Sequence, residues 1–201
     1  DGRLAVFMRL ACADLADEDL VAVVSYLRTL PPKKHAVPAD EWGVAAKALS
    51  SLFDPKPTPA LTWVPAGGVS AERGAYLANG PAFCVDCHTP RDPMRGFAPK
   101  GPLFSGEDQG QPEHGDPSFE LVAPNLTPDP ETGHMTTWSE DGFVARLRGG
   151  RAFPESTMPW ENFARMTEDD LRSIYRYLRT VAPARHDVGP IRRPTGWKPP
   201  A

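Results

Sequence analysis

The sequence predicts an all-α protein with short helices and long connections. Three observations predict it. Apolar residues recur at i, i+3, i+4 and i+7 near residues 17–30 and again near 168–180, the spacing of one helix face. The stretch 89–134 is rich in Pro and Gly and keeps no sustained period, as loops do. Between them stands Cys84-Val85-Asp86-Cys87-His88, the pentad around which the rest is arranged.

That pentad reads C-x-x-C-H, the attachment signature of a c-type haem. Two intervening residues set the sulfurs one helical turn apart, which matches the spacing of the two vinyl groups that form thioethers. The adjacent His88 then lies under the iron. Two other chemistries use C-x-x-C. A redox dithiol belongs near a βαβ pattern, and no strand-rich surroundings flank this one. A zinc site needs about four N or S ligands, and the third cysteine is the distant Cys12. A loop as long as 89–134 is unusual in a compact domain, but a porphyrin gives such loops something to pack on.

Composition sets the outer bounds. The 201 residues suit one or two domains. A hydrophobic content of 40% is enough for a core, and a formal net charge of −4 gives no basic footprint for nucleic acid. The 24 prolines are about twice the usual share. No run reaches the roughly 18 apolar residues of a transmembrane helix, and no signal peptide opens the chain. Haem of this type is attached outside the cytoplasm, so a periplasmic or otherwise exported protein is expected. Asp1-Gly2-Arg3 reads as a processed or truncated start.

In chain order, the first helix is expected over 17–30. Leu20, Val23, Val24 and Leu27 form its apolar stripe, Asp17-Glu18-Asp19 suit its positive end, and Pro31-Pro32 stop it. This segment recurs. Asp19, Leu20, Tyr26, Leu27, Arg28, Thr29 and Pro32 reappear as Asp170, Leu171, Tyr177, Leu178, Arg179, Thr180 and Pro183, at a constant offset of 151 residues. The repeat reads as an internal duplication. The first copy has no C-x-x-C-H before it, so residues 1–32 are expected to be the rear part of an incomplete domain. Residues 33–69 read as a proline-rich linker, with a short helix over 40–53 and Trp42 and Trp63 as packing anchors.

The haem domain is expected over 70–183. Ser70 caps a helix from Ala71 to Asn79, Gly80-Pro81 end it, and Gly74 permits close approach of another helix. Ser139 caps the next, with Phe143, Val144 and Leu147 inward and Gly149-Gly150 at its end. Thr167 caps the last, with Asp170 three residues on and Leu171, Ile174, Tyr175 and Leu178 buried. The 71–79 and 168–180 helices are expected to cross near the haem. Residues 184–201 read as an extended Pro-rich tail. Its bland role is a solvated strap. Its sharper role is a basic contact, through Arg185, Arg192, Arg193 and Lys198, for an acidic partner.

An electron-transfer haem takes Met or His as its sixth ligand. Met158 precedes Pro159 in a loop between two helices, where a thioether can swing over the opposite haem face. Met135 and His134 are the alternatives. Met94 is too close in sequence to His88, and Met166 beside a helix cap reads as core filling.

Several blocks resemble a known family: Gly74-Ala75-Tyr76-Leu77, Cys84 to His88 with Thr89-Pro90-Arg91, Pro124-Asn125-Leu126-Thr127-Pro128-Asp129, and Met158-Pro159-Trp160 with Phe163-Ala164-Arg165-Met166-Thr167. They resemble the bacterial class I, multi-haem cytochromes c, in particular the di-haem type. The cytochrome subunits of periplasmic alcohol and gluconate dehydrogenases share them. The resemblance covers about 70–183 and extends weakly through His35-Ala36-Val37-Pro38. Residues 1–32 match the rear of a preceding haem domain, where Met8 stands near an axial position but is followed by Arg9 rather than Pro. The resemblance implies a cytochrome c-like fold preceded by the rear part of a second such domain.

The function expected is electron transfer by one haem c, held by Cys84 and Cys87 and ligated by His88 and Met158. Arg91, Asn125 and Trp138 are candidates for bonds to the propionates or the loops. No catalytic residue is expected, and the partners are redox proteins, with a complementary front-half fragment or a neighbouring chain at 1–32. A second haem requires a further upstream segment. The rival readings are a peroxidase-like haem enzyme, with His114 or His134 as acid–base, and a haem sensor with a displaceable ligand.

Overall fold

The computed structural model describes residues 14–36, 64–95 and 97–199. Met8, Cys12, Trp42, Trp63 and the 40–53 helix lie outside them. The chain divides into two units, 1–64 and 65–201.

In the first unit, α1 spans Asp17–Thr29. Ala16 gives it no side-chain cap, and its first turn carries Asp17, Glu18 and Asp19, which favour the positive end of the helix dipole. None of its residues is buried.

The second unit is built on a helix crossing. α2 (Ala71–Asn79) starts where the Ser70 hydroxyl accepts from the Arg73 N–H, and α6 (Glu168–Leu178) starts where the Thr167 hydroxyl accepts from the Asp170 N–H. Both caps satisfy a backbone donor that the first helical turn leaves without a partner. α6 buries Leu171, Ser173, Ile174 and Leu178. Around the crossing, Arg73 donates to the Asp170 carboxylate at 2.5 Å and Asn79 donates to the Tyr177 hydroxyl at 3.0 Å. α4 (Glu140–Arg148), capped by Ser139, lays Phe143, Val144 and Leu147 inward and packs on α6. Two short α-helices, α3 (Cys84–Cys87) and α5 (Trp160–Phe163), and a 3-10 turn over Pro93–Arg95 are also described in this unit.

The strict all-α expectation is corrected by short strands. β1 (Arg91–Asp92) pairs antiparallel with β2 (Ala98–Pro99). β3 (Gln111–Pro112), β4 (Phe119–Leu121) and β5 (Arg192–Pro194) form a three-stranded antiparallel sheet in that order. The protein is therefore mostly helical with some strand.

β5 belongs to the expected tail, and it is no loose strap. Arg193, 2% exposed, donates to Glu120 at 2.6 Å, to the Asp108 carbonyl at 2.7 Å and to the Val188 carbonyl. Arg192 pairs with Glu113, and Arg185 with Glu131. Three of the four basic residues offered for an acidic partner are thus spent on acids of this chain.

Candidate functional site

α3 is one helical turn holding Cys84 and Cys87, entered through Phe83 at φ 57. That left-handed conformation is costly for a bulky residue, on the order of 1–3 kcal/mol. The Phe83 N–H donates to the Gly80 carbonyl at 2.9 Å, which locks the turn before the motif. The His88 N–H closes the helix on the Cys84 carbonyl at 3.0 Å.

The histidine is 7% exposed. Its Nδ1 lies 2.8 Å from the Pro124 carbonyl. A carbonyl only accepts, so Nδ1 carries the proton and Nε2 keeps its lone pair. Burial pushes the imidazole down to about 4, against the bond to Pro124, which works upward. The ring is therefore neutral at pH 7, the form that binds a metal.

The two thiols speak against redox chemistry of their own. Burial pushes Cys84 up to about 12, and the neighbouring Cys87 adds to the rise. Cys87, more exposed, is also raised, by desolvation and then by the Asp86 carboxylate. Dithiol enzymes work with lowered thiol pKa values. Among the described residues no group of three or more His, Cys, Asp or Glu side chains is set to hold a metal ion, so nothing there completes a zinc site.

Arg91 reaches back to the motif. Its guanidinium donates to the Asp86 carboxylate at 2.7 Å, to the Val85 carbonyl at 3.3 Å and to the Phe97 carbonyl at 3.1 Å. Its Nε is buried and has no partner, the sole such side-chain atom among the described residues. Buried donors are normally satisfied, so this one marks a place for an acceptor. Asn125, by contrast, is spent within its loop. Its amide donates to Thr132 and to the Ala184 carbonyl, and its oxygen accepts from the Thr127 N–H and hydroxyl. It fixes the loop that presents Pro124 to His88.

Trp138 stands edge-on to His134 at 5.2 Å between ring centroids, and its carbonyl accepts from the Tyr175 hydroxyl. His134 is exposed and lines an open hollow of about 560 Å³ with Asn125, Thr132 and Phe153. Desolvation and then the Arg146 charge lower its imidazole pKa. His114 is tied by its backbone N–H to the Glu155 carboxylate. Neither histidine is a buried base over a closed cavity. Met135 is 2% exposed and packed in the core, whereas Met158 is half-buried in the loop between α4 and α5. Met94 is 92% exposed.

Sequence reasoning missed two contributors. Pro124 acts through a backbone carbonyl, which no residue type announces. Thr89, fully buried, accepts from the Phe104 N–H at 3.1 Å and pins the loop after the motif. Both lie in blocks that carried the family resemblance, Thr89-Pro90-Arg91 and Pro124 to Asp129.

No family model matches the chain. It is similar to the alcohol dehydrogenase (quinone) cytochrome c subunit of Gluconacetobacter polyoxogenes, 34% identical over 144 residues, which is 66% of this chain and 28% of that protein. It is similar to the fructose dehydrogenase cytochrome subunit of Gluconobacter japonicus, 26% identical over 196 residues, 87% of this chain and 36% of that one. It is also similar to a diheme cytochrome c-type protein of Cereibacter sphaeroides, 25% identical over 175 residues, 84% of this chain and 56% of that one. This chain thus spans only about a third of the dehydrogenase subunits it matches. The two longer matches cover more than residues 65–201 supply, so they extend into the first unit.

Proposed function

We propose that this chain, a c-type cytochrome akin to the multi-haem cytochrome c subunits of dehydrogenases, passes electrons from a periplasmic dehydrogenase toward a respiratory acceptor through one covalent haem c. The observation that carries the proposal is His88 held on the C-x-x-C helix with its Nδ1 tied to Pro124. The donor set fits the group: two sulfurs one turn apart, a neutral imidazole with a free Nε2, and an unpaired buried Arg91 Nε nearby in the chain. When bound, such a haem supplies an iron that cycles between Fe(II) and Fe(III).

The residues then divide the work. Cys84 and Cys87 would hold the porphyrin by thioethers, and the Pro124 carbonyl, bonded to His88 Nδ1, would orient that imidazole as a ligand. Met158 would supply the sixth ligand, a sulfur that would favour the reduced state. Arg91, through its unpaired Nε, would bond a propionate, and Trp138 is the second candidate for that role. The exposed positions of His134 and His114 favour a carrier over a peroxidase-like enzyme.

We place the haem domain at 70–183 and read 1–32 as the rear part of a second cytochrome c-like domain, with 33–69 linking them and 184–201 as the tail. A second haem belongs only to a longer polypeptide that supplies another C-x-x-C-H. Among the described residues no helix is long and apolar enough to cross a membrane.

Optical spectra and potentiometry of two variants test the ligand set. Met158→Ala should open the sixth position, admit CO and lower the potential, while Met135→Leu should change neither. Retention of the low-spin spectrum and potential by Met158→Ala would remove Met158 as ligand. Intact-mass measurement should find one haem per chain.

A further inference from the structure

The loop between α4 and α5 carries Met158, and every residue over 148–162 is exposed or half-buried. On the protein side, polar contacts rather than core packing set the position of this loop. One set of contacts is local. The Arg151 guanidinium donates to the Glu161 carboxylate through two bonds, at 2.7 and 2.8 Å, and to the Ser156 carbonyl. The Trp160 indole N–H donates to the Ser156 hydroxyl at 3.1 Å, and the Arg146 guanidinium lies 3.9 Å over the Trp160 ring. These bonds tie the loop to α4 and α5, which flank it in the chain.

The other set is long-range. The Glu155 carboxylate accepts from the backbone N–H of His114 and, across 40 residues, from that of Gly115 at 3.0 Å. Two successive N–H groups on one carboxylate are charge-assisted bonds, stronger than neutral ones. The turn that offers them joins β3 to β4 and is itself fixed. The Glu113 N–H donates to the Phe119 carbonyl at 3.0 Å, and the Glu113 carboxylate accepts from Arg192 of β5 at 2.9 and 3.0 Å. The fit around the carboxylate is tight, since a Cβ on Gly115 would lie 2.9 Å from Glu155 Oε1. Met158 follows Glu155 by three residues in the same loop.

We infer that Glu155 is a positioning residue for Met158, holding the loop between α4 and α5 against the β3–β4 turn. The inference rests on the reading of Met158 as the sixth ligand, and adds what fixes its sulfur. His114 enters this arrangement by its backbone N–H, not by its imidazole. The reduction potential separates positioning from plain charge. A carboxylate favours the oxidised iron, which carries one positive charge more, so losing it through charge alone raises the potential. A methionine sulfur raises the potential when it is bound, so a sulfur held less firmly lowers it.

The test uses the full haem-loaded chain and three readouts: the near-infrared sulfur-to-iron band, the potential, and titration of the oxidised form with imidazole. Glu155→Ala should weaken the band, lower the potential and let imidazole bind roughly threefold or more tightly, the scale of one net hydrogen bond. Gly115→Ala, which displaces the carboxylate from the other side of the contact, should shift all three in the same direction. Glu131→Ala removes an exposed carboxylate paired with Arg185 and is the charge control, expected to leave the band and the imidazole affinity unchanged. A Glu155→Ala chain that matches the parent in all three readouts overturns the inference. So does a potential that rises as it does in Glu131→Ala, or a lowered urea midpoint with no change at the iron. Met158→Ala, measured alongside, judges the ligand itself. If it keeps the band, the ligand reading fails and the inference with it; if it loses the band while Glu155→Ala stays like the parent, the inference alone fails.

Discussion

Gly74 of α2 lies directly against the backbone carbonyl of Ser173 on α6, with room for a hydrogen and none for a methyl group. This contact sets how closely the two helices cross, and the crossing carries the loops that position the haem motif. Asn79 and Tyr177 extend it, and Tyr177 in turn meets Phe104 edge-on at 5.8 Å. Phe104 is pinned by Thr89, next to His88. A displacement at the crossing is therefore passed to the neighbourhood of His88 within three contacts.

Gly74→Ala should accordingly be among the most damaging single changes in the chain. The added methyl meets backbone, which cannot swing aside, so the helices must part. Overpacking of this kind costs about 1–3 kcal/mol and occasionally more; the upper end is expected here, read as a lowered urea midpoint of the haem-loaded chain. Gly67→Ala, where a Cβ meets nothing within 4 Å, is the control and should leave the unfolding free energy within about 0.5 kcal/mol of the parent's. Equal midpoints for the two variants would show that the crossing relaxes freely.

The buried pair Arg193–Glu120 gives a second prediction. Their side chains are 2% and 8% exposed. Removing one partner leaves the other charge buried and unpaired, a loss of about 3–5 kcal/mol. Arg193→Met should therefore detach β5 from β4, seen as faster amide exchange over 192–197. Arg193→Met combined with Glu120→Leu should recover most of the loss. If the double variant is no better than the single one, the carbonyl bonds of Arg193 to Asp108 and Val188 matter more than the ion pair.

A pH dependence follows from Glu140, which ties α4 to α6. Hydrogen bonds from Arg176 and then Arg172 hold its carboxyl below the usual range. A carboxyl lowered in the folded state contributes stability that is present above its unfolded value and lost as pH falls through the folded one. Glu140→Gln should therefore lower the urea midpoint at pH 7 and make little difference at pH 3. The pair is solvent-accessible, so the effect should also shrink in high salt. An undiminished difference at pH 3 would assign it to packing instead.

The parts legible in the sequence were those coded locally. Caps at Ser70, Ser139 and Thr167 and the period of Leu171, Ile174 and Leu178 placed three helices to within a residue or two, because a cap and its helix lie within one turn. The C-x-x-C-H motif is equally local. What stayed hidden was long-range. β3, β4 and β5 are two or three residues each, too short to show alternation, and β5 meets its partner across more than 70 residues. The burial of Arg193 depends on that pairing, so an Arg-rich tail read as solvated. Pro124 was hidden for another reason: the atom it offers to His88 belongs to every residue's backbone.

Arg91 tests how far the geometry of the site reaches into its electronics. Three of its bonds are made to protein, to Asp86, Val85 and Phe97, and they fix the guanidinium beside the motif. The unpaired Nε then suits a propionate oxygen. A fixed positive charge near the haem favours the reduced iron, which carries one positive charge fewer than the oxidised form. Arg91→Gln removes the charge and should lower the reduction potential, measured by potentiometry of the haem-loaded chain. Arg91→Lys keeps the charge but not the planar fork, so its potential should stay nearer the parent while the 91–99 hairpin loosens in amide exchange. A lysine variant whose potential falls as far as the glutamine variant's would mean that the fork, through the bonds it makes, sets the potential rather than the charge alone.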